Sequence, residues 1–181
     1  HLNCAMAYDG MGQKKAALES YNLAILYKID KASAYLNRGV ILQENRDFVS
    51  ALADFDAAIE LNPDYAEAFS NRGNALVDLQ RFDDALDSYD RAIQLKPDYA
   101  EAYFNRGNTL RYLKHFDDAL DSYDRATELK SNYAKAYVNK SLVLLLTGKL
   151  REGWQLHEWR WRTELLREFP KPLWIGEEDL S

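Results

Sequence analysis

The sequence predicts an all-α solenoid of stacked antiparallel helix pairs, and three observations predict it. Asparagine recurs at Asn3, Asn37, Asn71, Asn105 and Asn139, each 34 residues from the last. Segments 66–99 and 100–133 are identical at about two thirds of their aligned positions, and self-similarity at this period marks units that stack because none buries its apolar face alone. Within each unit, apolar residues fall at helical spacing twice, on either side of a short polar break.

The first helix of a unit is represented by Ala68, Ala75, Leu76 and Leu79. After Gln80 and Arg81 the second follows, with Phe82, Ala85, Leu86, Tyr89, Ala92, Ile93 and Leu95. Asp64 with Glu67, and Asp98 with Glu101, have the spacing of a capping box, while Pro63 and Pro97 stop the preceding helices. Asp83, Asp84, Asp117 and Asp118 suit a first turn, and Lys96 and Lys130 suit a last turn, because the helix dipole favours anions at its start and cations at its end. Gly39, Gly73 and Gly107 fall in mid-helix, where glycine costs about 1 kcal/mol against alanine. Close packing against the second helix is the expected compensation, with its alanine pairs (Ala51 and Ala58, Ala85 and Ala92, Ala119 and Ala126) and its aromatics Phe55, Tyr89 and Tyr123.

Composition narrows the function. The chain has 181 residues, 47% hydrophobic, enough for one repeat domain of about five units. Its net charge of -6 argues against a nucleic-acid or anionic-membrane binder, since those surfaces reward clustered Lys and Arg. Leu142 to Leu146 is the longest unbroken apolar run, far short of a membrane span. One cysteine, Cys4, gives no internal disulfide, and His1, His115 and His157 lie too far apart for a zinc motif, so no metal or cofactor is expected. The compartment reading leans to the cytoplasm. The start at His1, partway through a unit, reads as a piece cut from a longer chain.

An aromatic at Tyr35, Phe69, Tyr103 and Tyr137, a glycine four residues later in three of these units, paired alanines in the second helix and a closing proline resemble the tetratricopeptide repeat. The units would run 1–31 (partial), 32–65, 66–99, 100–133 and 134–167, with 168–181 as a tail or a linker to another domain. The last unit departs from the pattern: Ser141 replaces the glycine, and Gly153 and Arg160 replace the alanines. The resemblance implies a right-handed superhelix whose first helices line a concave groove for protein segments, and it implies no chemistry. Arg38, Arg72, Arg106 and Lys140 stand where the family commonly has leucine; they are expected to pair with aspartates such as Asp56, Asp90 and Asp124, the alternative being a basic ladder that binds a ligand.

By the same resemblance Asn37, Asn71, Asn105 and Asn139 face the groove, with Val40, Asn74, Asn108 and Leu142 one turn along. An amide both donates and accepts, so a spaced row can hold successive peptide groups of an extended chain. This ladder is similar to one in the repeat arm of O-GlcNAc transferases. The alternative, compatible with it, is that the asparagines bond neighbouring helices together. Glu44, Glu67, Asp78 and Glu101 would make the rim acidic, and Val77, Phe104 and Tyr112 would add apolar contacts, which favours a basic or neutral peptide. Lys135 and Arg111 alone are too few cations for a clamp on an acidic tail.

All four tryptophans, Trp154, Trp159, Trp161 and Trp174, follow the apolar helix that carries Leu142, Leu145 and Leu146. That helix needs a cover: the following helix, the tail, a second copy of the chain or a further domain. The run GWQLHEWRWR from Gly153, with FPKPLW from Phe169, is similar to the segment that joins such repeats to glycosyltransferase-like domains in bacterial proteins. His157 next to Glu158 does not read as an acid-base pair, because neighbours on a helix point apart. Two readings remain open: a non-catalytic module that binds a peptide segment, and a scaffold that self-associates through its last unit.

Overall fold

The computed structural model describes residues 2–162, the side chains of Trp161 and Arg162 excepted. Among them lie ten α-helices and one 3-10 turn: α1 (Leu2–Gly10), α2 (Lys14–Leu26), α3 (Lys31–Glu44), α4 (Phe48–Leu61), α5 (Ala66–Asp78), α6 (Phe82–Leu95), α7 (Ala100–Tyr112), α8 (Phe116–Leu129), α9 (Ala134–Leu146), α10 (Leu150–His157) and the turn Glu158–Arg162. Odd helices pair with the even helix that follows, and each pair packs on the next to form a right-handed superhelical solenoid. The first helices of neighbouring pairs also pack directly on one another, α3 on α5, α5 on α7 and α7 on α9. That closer approach places them on the inner side of the curve.

Within a pair the turn is made the same way each time. Gly12, Arg46, Gln80, Lys114 and Gly148, again 34 apart, all take a positive φ between 59° and 81°. The residue after each donates its N–H back to a carbonyl five residues earlier, as Arg81 does to Leu76 and His115 to Leu110. This is the closure that follows a left-handed residue at a helix end. Three of the five positions are not glycine and so carry the cost of that conformation.

The glycines work as expected. A Cβ on Gly39, Gly73 or Gly107 would come within 2.5–2.8 Å of the ring of Phe55, Tyr89 or Tyr123 on the partner helix. These rings are buried, together with the alanine pairs beside them. The last unit exchanges the parts: Ser141 takes the glycine's place, His157 takes the ring's, and Gly153 leaves space that Leu145 fills.

Local helix-end signals fare less well. No capping box forms at Asp64 or Asp98, because the helices start one residue later, with Tyr65 and Tyr99 as caps and no side-chain bond to the first turn. Both tyrosines are half-buried, and burying an aromatic ring outweighs a cap bond. Side-chain caps occur instead at Asp30, to the Ser33 N–H, and Asp47, to the Ser50 N–H. Lys96 and Lys130 stand just past the last turn, at the C-caps, each with its ammonium 4.8 Å from the ring centre of Tyr99 or Tyr133.

Candidate functional site

The basic row on the first helices stitches units together. Arg72 on α5 donates through Nε to Asp56 on α4 and through Nη1 to Ser88 on α6, both at 2.7 Å. Arg106 on α7 does the same to Asp90 on α6 and Ser122 on α8, at 2.7 and 2.8 Å. Arg38 spans the same two places with the charge moved across: Asn22 on α2 at 2.6 Å and Asp54 on α4 at 2.6 and 2.7 Å. The Asp54 carboxylate raises the Arg38 guanidinium above its ordinary pKa. Lys140 pairs with Asp124. Asp56, Asp90 and Asp124 are thus the partners the sequence suggests, and only Arg38 chooses another.

The asparagines form a second network, on the inner side. Asn74 Oδ1 accepts from Asn105 Nδ2 of the next unit at 3.0 Å and from the Tyr89 hydroxyl at 2.8 Å. One unit on, Asn108 Oδ1 accepts from Asn139 Nδ2 at 2.7 Å and from the Tyr123 hydroxyl at 2.9 Å. Burial pushes both tyrosine hydroxyls above the usual phenol range, so they stay protonated and donate. Asn37 and Asn71 have no such acceptor before them, because Met6 and Val40 hold the places of Asn74 and Asn108. Leu142 ends the ladder on the other side.

Asn74, Asn105 and Asn108 meet in one hollow of about 220 Å³, lined also by Val77, Asp78, Tyr89 and Thr109. Sequence reasoning passes over Tyr89, Tyr123 and Thr109, assigning the tyrosines to packing alone. The second unit carried a signal, since Val40 and Phe55 there replace the asparagine and the tyrosine together, although the first unit keeps Tyr21 beside Met6.

The rim is less acidic than its composition. Glu44 pairs with Lys14 and Glu101 with Lys130, both at 2.9 Å, while Asp78 accepts from Gln43 at 2.7 Å. The Lys130 hydrogen bond holds the Glu101 carboxyl below its ordinary pKa. Glu67 is exposed. Phe104 is half-buried against Tyr123 and Tyr133, whereas Tyr112 is 65% exposed and lies on Phe82 with ring centres 4.5 Å apart.

At the C-terminal unit, α10 and the 3-10 turn cover part of α9. Trp159 stacks on Tyr137 with ring centres 4.1 Å apart, and Val143 and Leu144 are buried. Leu142, Leu146, Leu150 and Trp154 remain 36–67% exposed. The Trp161 side chain, Trp174 and the tail lie outside the described residues. Among the described residues no helix is long and apolar enough to cross a membrane, and no group of three or more His, Cys, Asp or Glu could hold a metal ion.

Family descriptions match along the chain: a tetratricopeptide repeat at 1–28, at 32–65 and at 100–133, and a TPR repeat at 73–113. No curated protein matches. Among solved structures, MamA is 20% identical with a TM-score of 0.80, over 93% of this chain and 98% of that one. YrrB, described as a TPR protein with an unusual peptide-binding site, is 22% identical with a TM-score of 0.72, over 91% and 87%. The first TPR of Spaghetti, bound to the HSP90 peptide SRMEEVD, is 22% identical with a TM-score of 0.64, over 65% and 94%. At these identities the likeness concerns the fold.

Proposed function

We propose that this chain, which belongs to the tetratricopeptide repeat family, is a non-catalytic module that holds an extended protein segment along the inner face of α5, α7 and α9. The observation that carries the reading is the hollow where Asn74, Asn105 and Asn108 converge beside Val77 and Asp78. Amide groups there can bond a peptide backbone whatever its side chains, leaving selectivity to the flanks. Two of the similar structures bear peptides or peptide sites in their descriptions, which supports this use of the fold. An acidic tail such as SRMEEVD suits the hollow poorly, since Asp78 lines it and no lysine or arginine does.

The units are assigned as 1–31, 32–65, 66–99, 100–133 and 134–167, with 168–181 as tail or linker. We further assign the module as the recognition arm of a larger bacterial glycosyltransferase-like protein, on the resemblance of the run from Gly153 and of FPKPLW; sequencing the gene past Ser181 tests that. The binding reading is tested on peptide arrays: Asn74→Ala with Asn105→Ala should weaken capture, and unchanged affinity for every captured peptide would sink it.

Exposure of Leu142, Leu146, Leu150 and Trp154 favours a second reading, self-association through the last unit. Light scattering should then show a concentration-dependent dimer that Leu146→Lys abolishes. A strict monomer at high concentration rules it out.

A further inference from the structure

The inner hydrogen bonds commit one half of each asparagine amide and leave the other half for a ligand. Asn74 and Asn108 use their carbonyl oxygens twice, on a tyrosine hydroxyl and on the next unit's amide, so what each has left is its N–H2 group. Asn105 and Asn139 use their N–H2 groups, so what each has left is a carbonyl oxygen. The tyrosines enforce this choice: buried and held in the protonated form, each has one proton to give and gives it to the asparagine oxygen. A flipped Asn74 would set its N–H2 against the Asn105 N–H2 and push the Tyr89 proton onto the Thr109 hydroxyl, its other hydrogen-bond partner.

We propose that the ladder gives the groove a fixed hydrogen-bonding polarity, donor at Asn74 and Asn108 and acceptor at Asn105 and Asn139, so that it takes ligands bringing carbonyl oxygens to the first pair and N–H groups to the second. The occupant is an extended peptide, whose backbone alternates these groups at short intervals. This rests on the reading of the hollow as a peptide site. It also confines the backbone-reading stretch to the two rungs between α5 and α9, because Val40 and Leu142 supply no amide at either end. Past the second rung the next inner residues are Leu142 and Leu146, both exposed, which suits an apolar side chain at that end of the peptide.

Aspartate is the isostere that separates the roles, because it keeps the acceptor and removes the donor. Asn74→Asp and Asn108→Asp retain both inner bonds and should unfold near the wild-type temperature. Asn105→Asp and Asn139→Asp set oxygen against oxygen and should lower the Tm by about 4 °C, or prevent folding outright. Asp78 lies in the same hollow as Asn74 and Asn105, and Arg111 lies against Tyr123 beside the second rung, so the added charge is compared within each rung and the difference there reports the polarity. Equal losses, or larger losses for Asn74→Asp and Asn108→Asp, overturn the assignment. The ligand is tested separately with hexaglycine, a backbone without side chains, followed by the side-chain amide signals in a 15N spectrum. Hexaglycine should shift the Asn74 and Asn108 signals in the wild type and lose its effect in Asn74→Asp. If it shifts no asparagine signal, the peptide reading fails, while the order of Tm values still decides the polarity.

Discussion

The Ser141 hydroxyl lies 3.1 Å from His157 Nδ1, at the position where three other units slide a glycine under an aromatic ring. The two substitutions compensate: the imidazole is smaller than a phenol, and the serine occupies the difference and bonds to it. His157→Tyr alone should therefore overpack the unit and destabilise it by about 1–3 kcal/mol, and adding Ser141→Gly should restore most of the loss. Urea denaturation of the two singles and the double closes the cycle.

The same pair makes the last unit sensitive to acid. Burial first, and then the nearby Arg160, hold the His157 imidazole below its ordinary pKa. A histidine depressed in the folded state contributes stability that is present above its unfolded pKa of about 6.5 and is lost as the pH falls through the folded value. Amide exchange in α9 and α10 should thus quicken relative to α5 and α6 between pH 7.5 and pH 5. His157→Gln should remove that difference.

Each arginine of the basic row needs one carboxylate, on either of two helices. Asp56→Asn should cost about 0.5 kcal/mol, in keeping with a half-exposed ion pair. Combining it with Ser88→Asp reproduces the surroundings of Arg38 and should recover the loss. Chemical denaturation midpoints distinguish this from independent, additive effects.

Gln80 and Lys114 hold the left-handed turn conformation without being glycine, and both are exposed. Gln80→Gly should raise stability by up to about 1 kcal/mol, read as a higher Tm. Gly73→Ala should do the reverse despite alanine's better helix propensity, because its Cβ would meet the Tyr89 ring at 2.5 Å and push the hydroxyl off Asn74. A loss of about 1–3 kcal/mol is expected.

The architecture was legible because the same pattern is written several times over, so that Ala85, Ala119 and their counterparts vouch for one another. Single-site signals were less secure. The aspartate-glutamate spacing at Asp98 and Glu101 looked like a cap, but Tyr99 and the Lys130 contact to Glu101 use those residues otherwise. The asparagine row was visible, whereas its hydrogen bonds were not, because Asn105 meets Asn74 across 31 residues and Tyr89 meets Asn74 across 15. Such distances become contacts only when the curvature of the stack is known. Arg38 bonds to both neighbours but makes its ion pair with Asp54, because Asn22 of the preceding unit stands there without a charge.

The joint loss of an amide at Val40 and a hydroxyl at Phe55 makes the length of the ladder an adjustable quantity. Restoring both, as Val40→Asn with Phe55→Tyr, would hand Asn71 the acceptor it lacks and add a rung without touching the two that exist. Val40→Asn alone would give Asn71 an acceptor without the tyrosine that orients it, and the first unit already carries the tyrosine alone, as Tyr21 beside Met6. In a protein made by copying one unit, reach can therefore grow or shrink by substitutions at these two positions, with the number of units held constant.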